Sequence, residues 1–144
     1  MSCTRNFGLS IAQGEYVIFI DADDYINKDC IQELYDLSTR YKLDILRWKY
    51  QMYFEKSHKR YNCSSNIDIK YLNRVLKAED FFNIMIEYGS YEVFAWMGMY
   101  KRKFLLSNHL LFPEKINMED HLFTLQCLTI NFLLYQYVNN VKTY

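Results

Sequence analysis

The sequence predicts a single α/β domain spanning residues 1–144, and three observations carry that prediction. Short runs of β-branched and aromatic residues alternate with segments of helical periodicity. One run, Glu15-Tyr16-Val17-Ile18-Phe19-Ile20, holds five consecutive apolar residues, the pattern of a parallel strand buried on both faces. The chain has 144 residues, 51% of them hydrophobic, which is enough for one core, and no repeat, Pro-rich linker or low-complexity tract divides it.

Taken in order, residues 2–13 read as a short helix with Phe7 and Ile11 on its apolar face, ended by Gly14 in a left-handed cap. The apolar strand follows, then Asp21-Ala22-Asp23-Asp24. Asn27 is a good N-cap for a helix over residues 28–40, with Ile31, Leu34 and Tyr35 as its stripe. Residues 43–54 read as one or two strands, and residues 57–66 as a polar loop. Residues 77–88 form a helix with Phe81, Phe82, Met85 and Ile86 inward and Gly89 as its stop. Residues 93–99 fit a strand and residues 101–108 a short helix, before Leu111-Phe112-Pro113 breaks the pattern. Residues 119–134 read as the last long helix and residues 136–141 as a final strand.

Composition excludes several classes. Lys plus Arg and Asp plus Glu both total 17, so the net charge is zero, and no electrostatic footprint points to nucleic acid or an anionic membrane as the main partner. Four glycines, Gly8, Gly14, Gly89 and Gly98, assemble no Gly-rich phosphate loop. The four cysteines form no C-x-x-C, and no Cys/His group has zinc spacing. There is no basic-then-apolar leader, so the expectation is a cytoplasmic protein with reduced thiols. The apolar stretch over residues 122–138 is interrupted by Thr124, Gln126, Thr129, Asn131 and Gln136. It predicts a buried helix and no transmembrane segment.

The strongest local chemistry lies where the apolar strand gives way to aspartates. In extended backbone Asp21 and Asp23 share a face, and small Ala22 leaves room beside them. Ligands of open α/β sheets bind at strand carboxyl ends. Neighbouring carboxylates repel one another unless a cation or hydrogen bonds offset them, and Mg²⁺ combines one or two carboxylates with phosphate and water oxygens. The plainer alternative is that these residues cap the next helix, with Asp24 the most structural of them. A second acidic pair, Glu119-Asp120, opens the last helix. There it either serves the positive helix end or supplies a general base for a hydroxyl proton.

Together these residues resemble the family-two inverting glycosyltransferases of the GT-A fold. The family's middle segment runs A-R-N-x-G-(I/L)-x-x-A-x-G-E-Y-I-x-F-L-D-x-D-D. Here Thr4-Arg5-Asn6-Phe7-Gly8-Leu9, Ala12 and the run from Gly14 to Asp24 match it. Trp96-Met97-Gly98-Met99-Tyr100-Lys101-Arg102 resembles the family's W-x-x-(L/M)-Y-(K/R)-R. Leu111-Phe112-Pro113-Glu114 and Glu119-Asp120-His121-Leu122-Phe123 resemble its F-x-E and E-D-x-x-F.

The resemblance implies a partial GT-A mixed sheet with flanking helices, and a transferase moving a hexosyl or N-acetylhexosaminyl group from a nucleotide-diphosphate sugar to a glycan acceptor. It implies Asp120 as catalytic base, Arg5, Asp21 and Asp23 on the donor, and Asp23 with Asp21 on Mg²⁺ or Mn²⁺. It implies Trp96 and Glu119 on the acceptor side. By analogy with bacterial members, the setting is cell-surface polysaccharide synthesis, in the cytoplasm or peripherally at the inner face of the membrane. The resemblance covers only the C-terminal part of the family's domain. The opening P-x-Y-N and D-D-G-S strands do not appear, and Met1 falls inside the pattern. The expectation is therefore a truncated domain with an exposed apolar strand edge, prone to self-association or to pairing with a complementing N-terminal half. The alternative function is a non-catalytic remnant that only binds such a partner.

Overall fold

The computed structural model describes residues 1–63, 66–90, 93–130 and 132–143. A mixed sheet carries an apolar cluster on each face. Helix α1 (Ser2–Ile11) leads into strand β1 (Tyr16–Ile18), a turn, and β2 (Tyr25–Ile26). Helix α2 (Cys30–Arg40) precedes the long β3 (Ile45–Phe54), which folds back as β4 (Lys59–Cys63). Then come β5 (Val75–Lys77), α3 (Ala78–Glu87), a 3₁₀ turn Ala95–Met97, β6 (Gly98–Lys101), α4 (Arg102–Ser107), α5 (Glu119–Leu128) and β7 (Leu133–Thr143). The main strand order is β1-β6-β3-β7-β2, with β4 on β3 and β5 on β7. Among the described residues only β3 and β7 pair in parallel; the other pairs are antiparallel.

The period-two alternation of strands splits the core. Ile45, Tyr100, Val17 and Leu134 join Leu9, Phe81, Phe112 and Phe123 on the face covered by α1, α3, α4 and α5. Leu46, Trp48, Met99, Tyr16 and Ile18 join Leu34 on the face covered by α2. The fold class is the α/β class that the sequence predicts.

Several elements differ from the sequence reading. The apolar run is a three-residue edge strand, half-buried, antiparallel to β6, with Ile20 exposed; β6 is its only sheet neighbour among the described residues. Helix α1 ends at Ala12 in extended backbone, and Gly14 has no positive φ; its carbonyl instead accepts from Arg102 Nε at 2.8 Å. Phe7 and Ile11 face outward while Leu9 is buried, so α1 turns a different face inward from the one its apolar spacing predicts. The same holds for Ile31 and Tyr35 of α2 and for Ile86 of α3, where Ile84 points in. Helix α2 begins at Cys30, and the Asn27 carbonyl rather than its side chain meets the first turn.

The expected polar loop contains β4, an edge strand whose polar composition suits a ladder with one neighbour, while Ser64 and Ser65 of that loop lie outside the described residues. The stretch read as a strand before residue 100 is a 3₁₀ turn followed by β6. The last helix stops at Leu128, and Leu133–Thr143 pairs along β3 instead: tertiary pairing overrides a helical reading of an apolar run. Gly89 does end α3 in the left-handed region (φ 58°).

Candidate functional site

Four aromatic rings form the floor of the site. Phe112 stacks on Phe123 with centroids 4.0 Å apart, and Phe19 meets both edge-on at 4.8 and 5.8 Å. Tyr100 packs against Phe19 and Phe123 and is fully buried. Three of the rings are tied to polar residues of the site, two of them through the sequence. Phe19 lies two residues before Asp21. Phe123 is one helical turn beyond Asp120, on the same side of α5. Phe112 is clamped to α1 by Asn6, whose Nδ2 donates to the Phe112 carbonyl (2.9 Å) and whose Oδ1 accepts from the Phe112 N–H (2.8 Å).

Arg5, beside Asn6 on α1, lies over the Phe112 ring with Cζ 5.1 Å from its centroid. Its guanidinium gathers three carboxylates from distant parts of the chain. Nη2 donates to Asp21 Oδ1 at 2.8 Å, and Nη1 to Asp120 Oδ1 and to Glu119 Oε1, the latter at 3.4 Å. The Arg5 side chain is 10% exposed, Asp120 14% and Asp21 25%. Planar, permanently charged and five-donor, a guanidinium suits this fork. Asp120 also accepts from the Ala95 N–H, which ties α5 to the 3₁₀ turn.

Three carboxylates against one guanidinium leave an excess of two negative charges in a half-buried place. Burial pushes the Asp120 carboxyl above its usual range, assisted by Glu119 and opposed by Arg5. For Arg5, burial pulls the pKa down, but the bond to Asp21 and the charges of Asp120 and Asp21 outweigh it, and the net direction is upward.

The structure thus brings together Arg5, Asp21, Glu119 and Asp120. Asp23 sits apart. Ala22 and Asp23 form a turn closed by the Asp24 N–H on the Asp21 carbonyl (3.1 Å), so the extended backbone expected to align Asp21 with Asp23 is absent. Asp23 is exposed, and no hydrogen bond or ion pair among the described residues holds its carboxylate. None of the three aspartates caps α2, whose N-cap is Asp29. Trp96 is 6% exposed, stacked on Phe94 at 5.3 Å with Tyr50 edge-on at 4.9 Å; it is a core aromatic by packing. His121 meets the Phe94 ring edge-on at 5.8 Å.

Among the described residues no group of three or more His, Cys, Asp or Glu is arranged to hold a metal ion by itself. An exposed aspartate without a protein partner, two residues from one with a single oxygen engaged, fits a hard cation that completes its shell with phosphate and water. Sequence reasoning missed Asn6 and the aromatic floor. The signal was present in the adjacency of Asn6 to Arg5 and in the spacing of Phe123 from Asp120.

Comparison with known proteins gives this arrangement its setting. The model of the family described as Glycosyl transferase family 2 matches residues 2–103. The uncharacterized glycosyltransferase YibD of Escherichia coli is 25% identical over 85% of this chain and 36% of its own length. The putative glycosyltransferase EpsH of Bacillus subtilis is 27% identical over 86% of this chain and 35% of its own. The crystal structure of S. aureus TarS 1–349 in complex with UDP-GlcNAc superposes over 97% of this chain and 37% of that chain, with a TM-score of 0.75 at 23% identity, a likeness of GT-A fold. The chain spans about a third of the length of the relatives it matches. Among the described residues no helix is long and apolar enough to cross a membrane.

Proposed function

The chain belongs to glycosyl transferase family 2, and on that premise we propose that it transfers a hexosyl or N-acetylhexosaminyl group from a nucleotide-diphosphate sugar to an acceptor hydroxyl with inversion, in building a cell-surface polysaccharide. The carrying observation is the gathering of Asp21, Glu119 and Asp120 around Arg5, the last two from more than a hundred residues away. The donor class rests on likeness: TarS is a poly(ribitol-phosphate) N-acetylglucosaminyltransferase with a structure holding UDP-GlcNAc.

Asp120 is the base. Its carboxylate takes the proton of the acceptor hydroxyl, and the oxygen attacks the anomeric carbon from the side opposite the nucleotide. The bond from that carbon to the diphosphate oxygen breaks, and the configuration inverts. A carboxyl with raised proton affinity is the better acceptor, and burial beside Glu119 gives Asp120 that property. Glu119 borders the acceptor side. Trp96 backs it from within the core, through its stacking on Phe94. Arg5 holds the base against the strand end; the phosphate contact expected from the resemblance would require its guanidinium to exchange a carboxylate for a phosphate. Asp23 and Asp21 would hold Mg²⁺ or Mn²⁺, which supplies charge neutralisation for the departing diphosphate.

Isothermal titration with UDP-sugars, with and without Mn²⁺, tests the reading. Binding that requires Mn²⁺ and is lost in Asp23→Ala is expected. Equal binding without metal, or in that variant, overturns the metal assignment. A transfer assay with Asp120→Asn tests the base: full turnover would transfer that role elsewhere.

The edge of β1 away from β6, which no strand among the described residues pairs, favours a second reading. Apolar grooves flank that edge on both faces, one against α1 at Leu9 and Ala12, one against α2 at Ile31 and Tyr35. In this reading the chain acts only as a complementing piece joined through β1. Turnover by the chain alone excludes it; turnover only after adding the N-terminal half of a relative favours it.

A further inference from the structure

Among the described residues the tip of the β3–β4 hairpin is paired only within itself. Pairing of β3 with β7 ends at Gln51, and beyond it β4 is the only neighbour of β3 among the described residues. Cross-strand register puts Tyr61 opposite Met52 and Lys59 opposite Phe54, so these four side chains share a face. Phe54 and Tyr61 are 50% and 51% exposed and touch edge-on at 5.6 Å. With Met52, Ser57 and Lys59 they line a shallow apolar groove.

Charge is concentrated at the same tip. Residues 52–61 carry Lys56, Lys59 and Arg60 against a single acid, Glu55, in a chain whose net charge is zero. The cations surround the tip. Lys59 lies on the Phe54 face, Lys56 lies in the turn, and Arg60 lies on the opposite face over the Tyr53 ring at 5.8 Å. The tip is also braced. Tyr53 Oη and His58 Nδ1 are 2.9 Å apart, and the Ser57 N–H donates to the Phe54 carbonyl at 3.1 Å.

From this we propose that the β3–β4 tip docks the protein on an anionic lipid surface, with Phe54, Tyr61 and Met52 entering the headgroup layer and Lys56, Lys59 and Arg60 meeting its phosphates. A protein partner would meet one face of the ribbon. A collar of cations around an aromatic knob matches a medium that surrounds the knob. Aromatic side chains favour the interfacial layer, and clustered basic residues add attraction to anionic headgroups that falls with salt. The inference does not depend on the transfer reaction.

Vesicle flotation of the full chain tests it, with phosphatidylcholine alone against phosphatidylcholine mixed with phosphatidylglycerol. Flotation with the anionic vesicles, reduced by high salt, is expected, and free inorganic phosphate should not displace the protein. Lys56→Glu/Lys59→Glu should weaken partitioning more than about tenfold, and Phe54→Ser/Tyr61→Ser should also release it. Lys103→Glu, an exposed change on α4, should leave flotation unchanged. All these side chains are exposed, and a thermal melt checks that each variant stays folded. Equal flotation with both vesicle types, none with either, displacement by phosphate, or tip variants that float like the parent would each overturn the proposal. So would a tip substitution that changes only the oligomeric state on size exclusion.

Discussion

Asp21 and Asp23 lie two residues apart and are built for different work. Asp21 is half-buried above Phe19 and fixed by Arg5. Asp23 is exposed in the turn and held by nothing else among the described residues. One carboxylate belongs to a preorganised cluster that exists before any ligand arrives. The other, in the proposed reading, is left to a ligand. Preorganisation confers rigidity at some cost in charge repulsion, and the Arg5 cluster carries both. Substitutions on the cluster should therefore change stability and turnover together, whereas those at the turn should change metal-dependent binding and turnover and leave stability alone.

The largest effect is expected at Asp120. Asp120→Asn keeps the shape but removes the proposed proton acceptor, so turnover should fall by about 10²–10⁴-fold while nucleotide binding persists. Comparison of transfer rate with calorimetric affinity separates the two. If both fall equally, Asp120 serves binding and not proton transfer. With Asp120 as the base, its raised carboxyl pKa should put the acid limb of the rate profile above the ordinary value of about 4 for an aspartate.

Arg5→Met comes next. It leaves three carboxylates facing one another without their cation, and should lower stability by about 2–3 kcal/mol at neutral pH, the low end for a broken buried pair because the carboxylates keep some exposure. Because the folded-state pKa of Asp120 lies above its unfolded value, its protonation favours the folded chain. That contribution is present below the unfolded pKa and is lost as pH rises through the folded one. The stability gap between Arg5→Met and the parent should therefore narrow on acidification. Denaturant melts across pH measure it; a gap independent of pH would mean that Arg5 acts through packing on Phe112.

The acidic chemistry was legible because it is local. Five apolar residues followed by aspartates, and an acidic pair opening a helix, can be read without tertiary information. The class of fold was legible for the same reason. Burial on each helix was not. Phe7 and Ile11 satisfy a helical stripe, yet the chain buries Leu9 and leaves them outside, since periodicity gives a face and not the neighbour that covers it. The apolar run at β1 reads as doubly buried because its residues suit such a place, but its only described sheet neighbour is β6. The end of the last helix failed differently: a strand partner, β3, claims the apolar residues after Leu128. The convergence of Arg5 on residues more than a hundred positions away could not come from periodicity. Only the resemblance placed them in one site.

Asn6→Ala should have a moderate effect. Both bonds of Asn6 go to the Phe112 backbone, and the substitution leaves a backbone N–H without its acceptor, a loss of about 1–2 kcal/mol. If the aromatic floor aligns Arg5, turnover should fall as well. Asn6→Asp, which keeps the acceptor oxygen, should recover part of both. Full turnover in Asn6→Ala would show that Arg5 holds its place through the carboxylates alone.

Asp23→Asn should barely register in a melt, at under about 0.5 kcal/mol, because an exposed side chain in a turn contributes little to folding. The same substitution should bring UDP-sugar binding in Mn²⁺ down to its metal-free level. An amide oxygen is a weaker ligand for a hard cation than a carboxylate, and it adds no negative charge to the two already in excess around Arg5. The pair of results decides the comparison. A stable variant with lost metal-dependent binding makes Asp23 a ligand residue and leaves the scaffold to Arg5 and its carboxylates. A destabilised variant would make both aspartates scaffold, and the cation would then have to sit on the cluster itself, where Arg5 already competes for it.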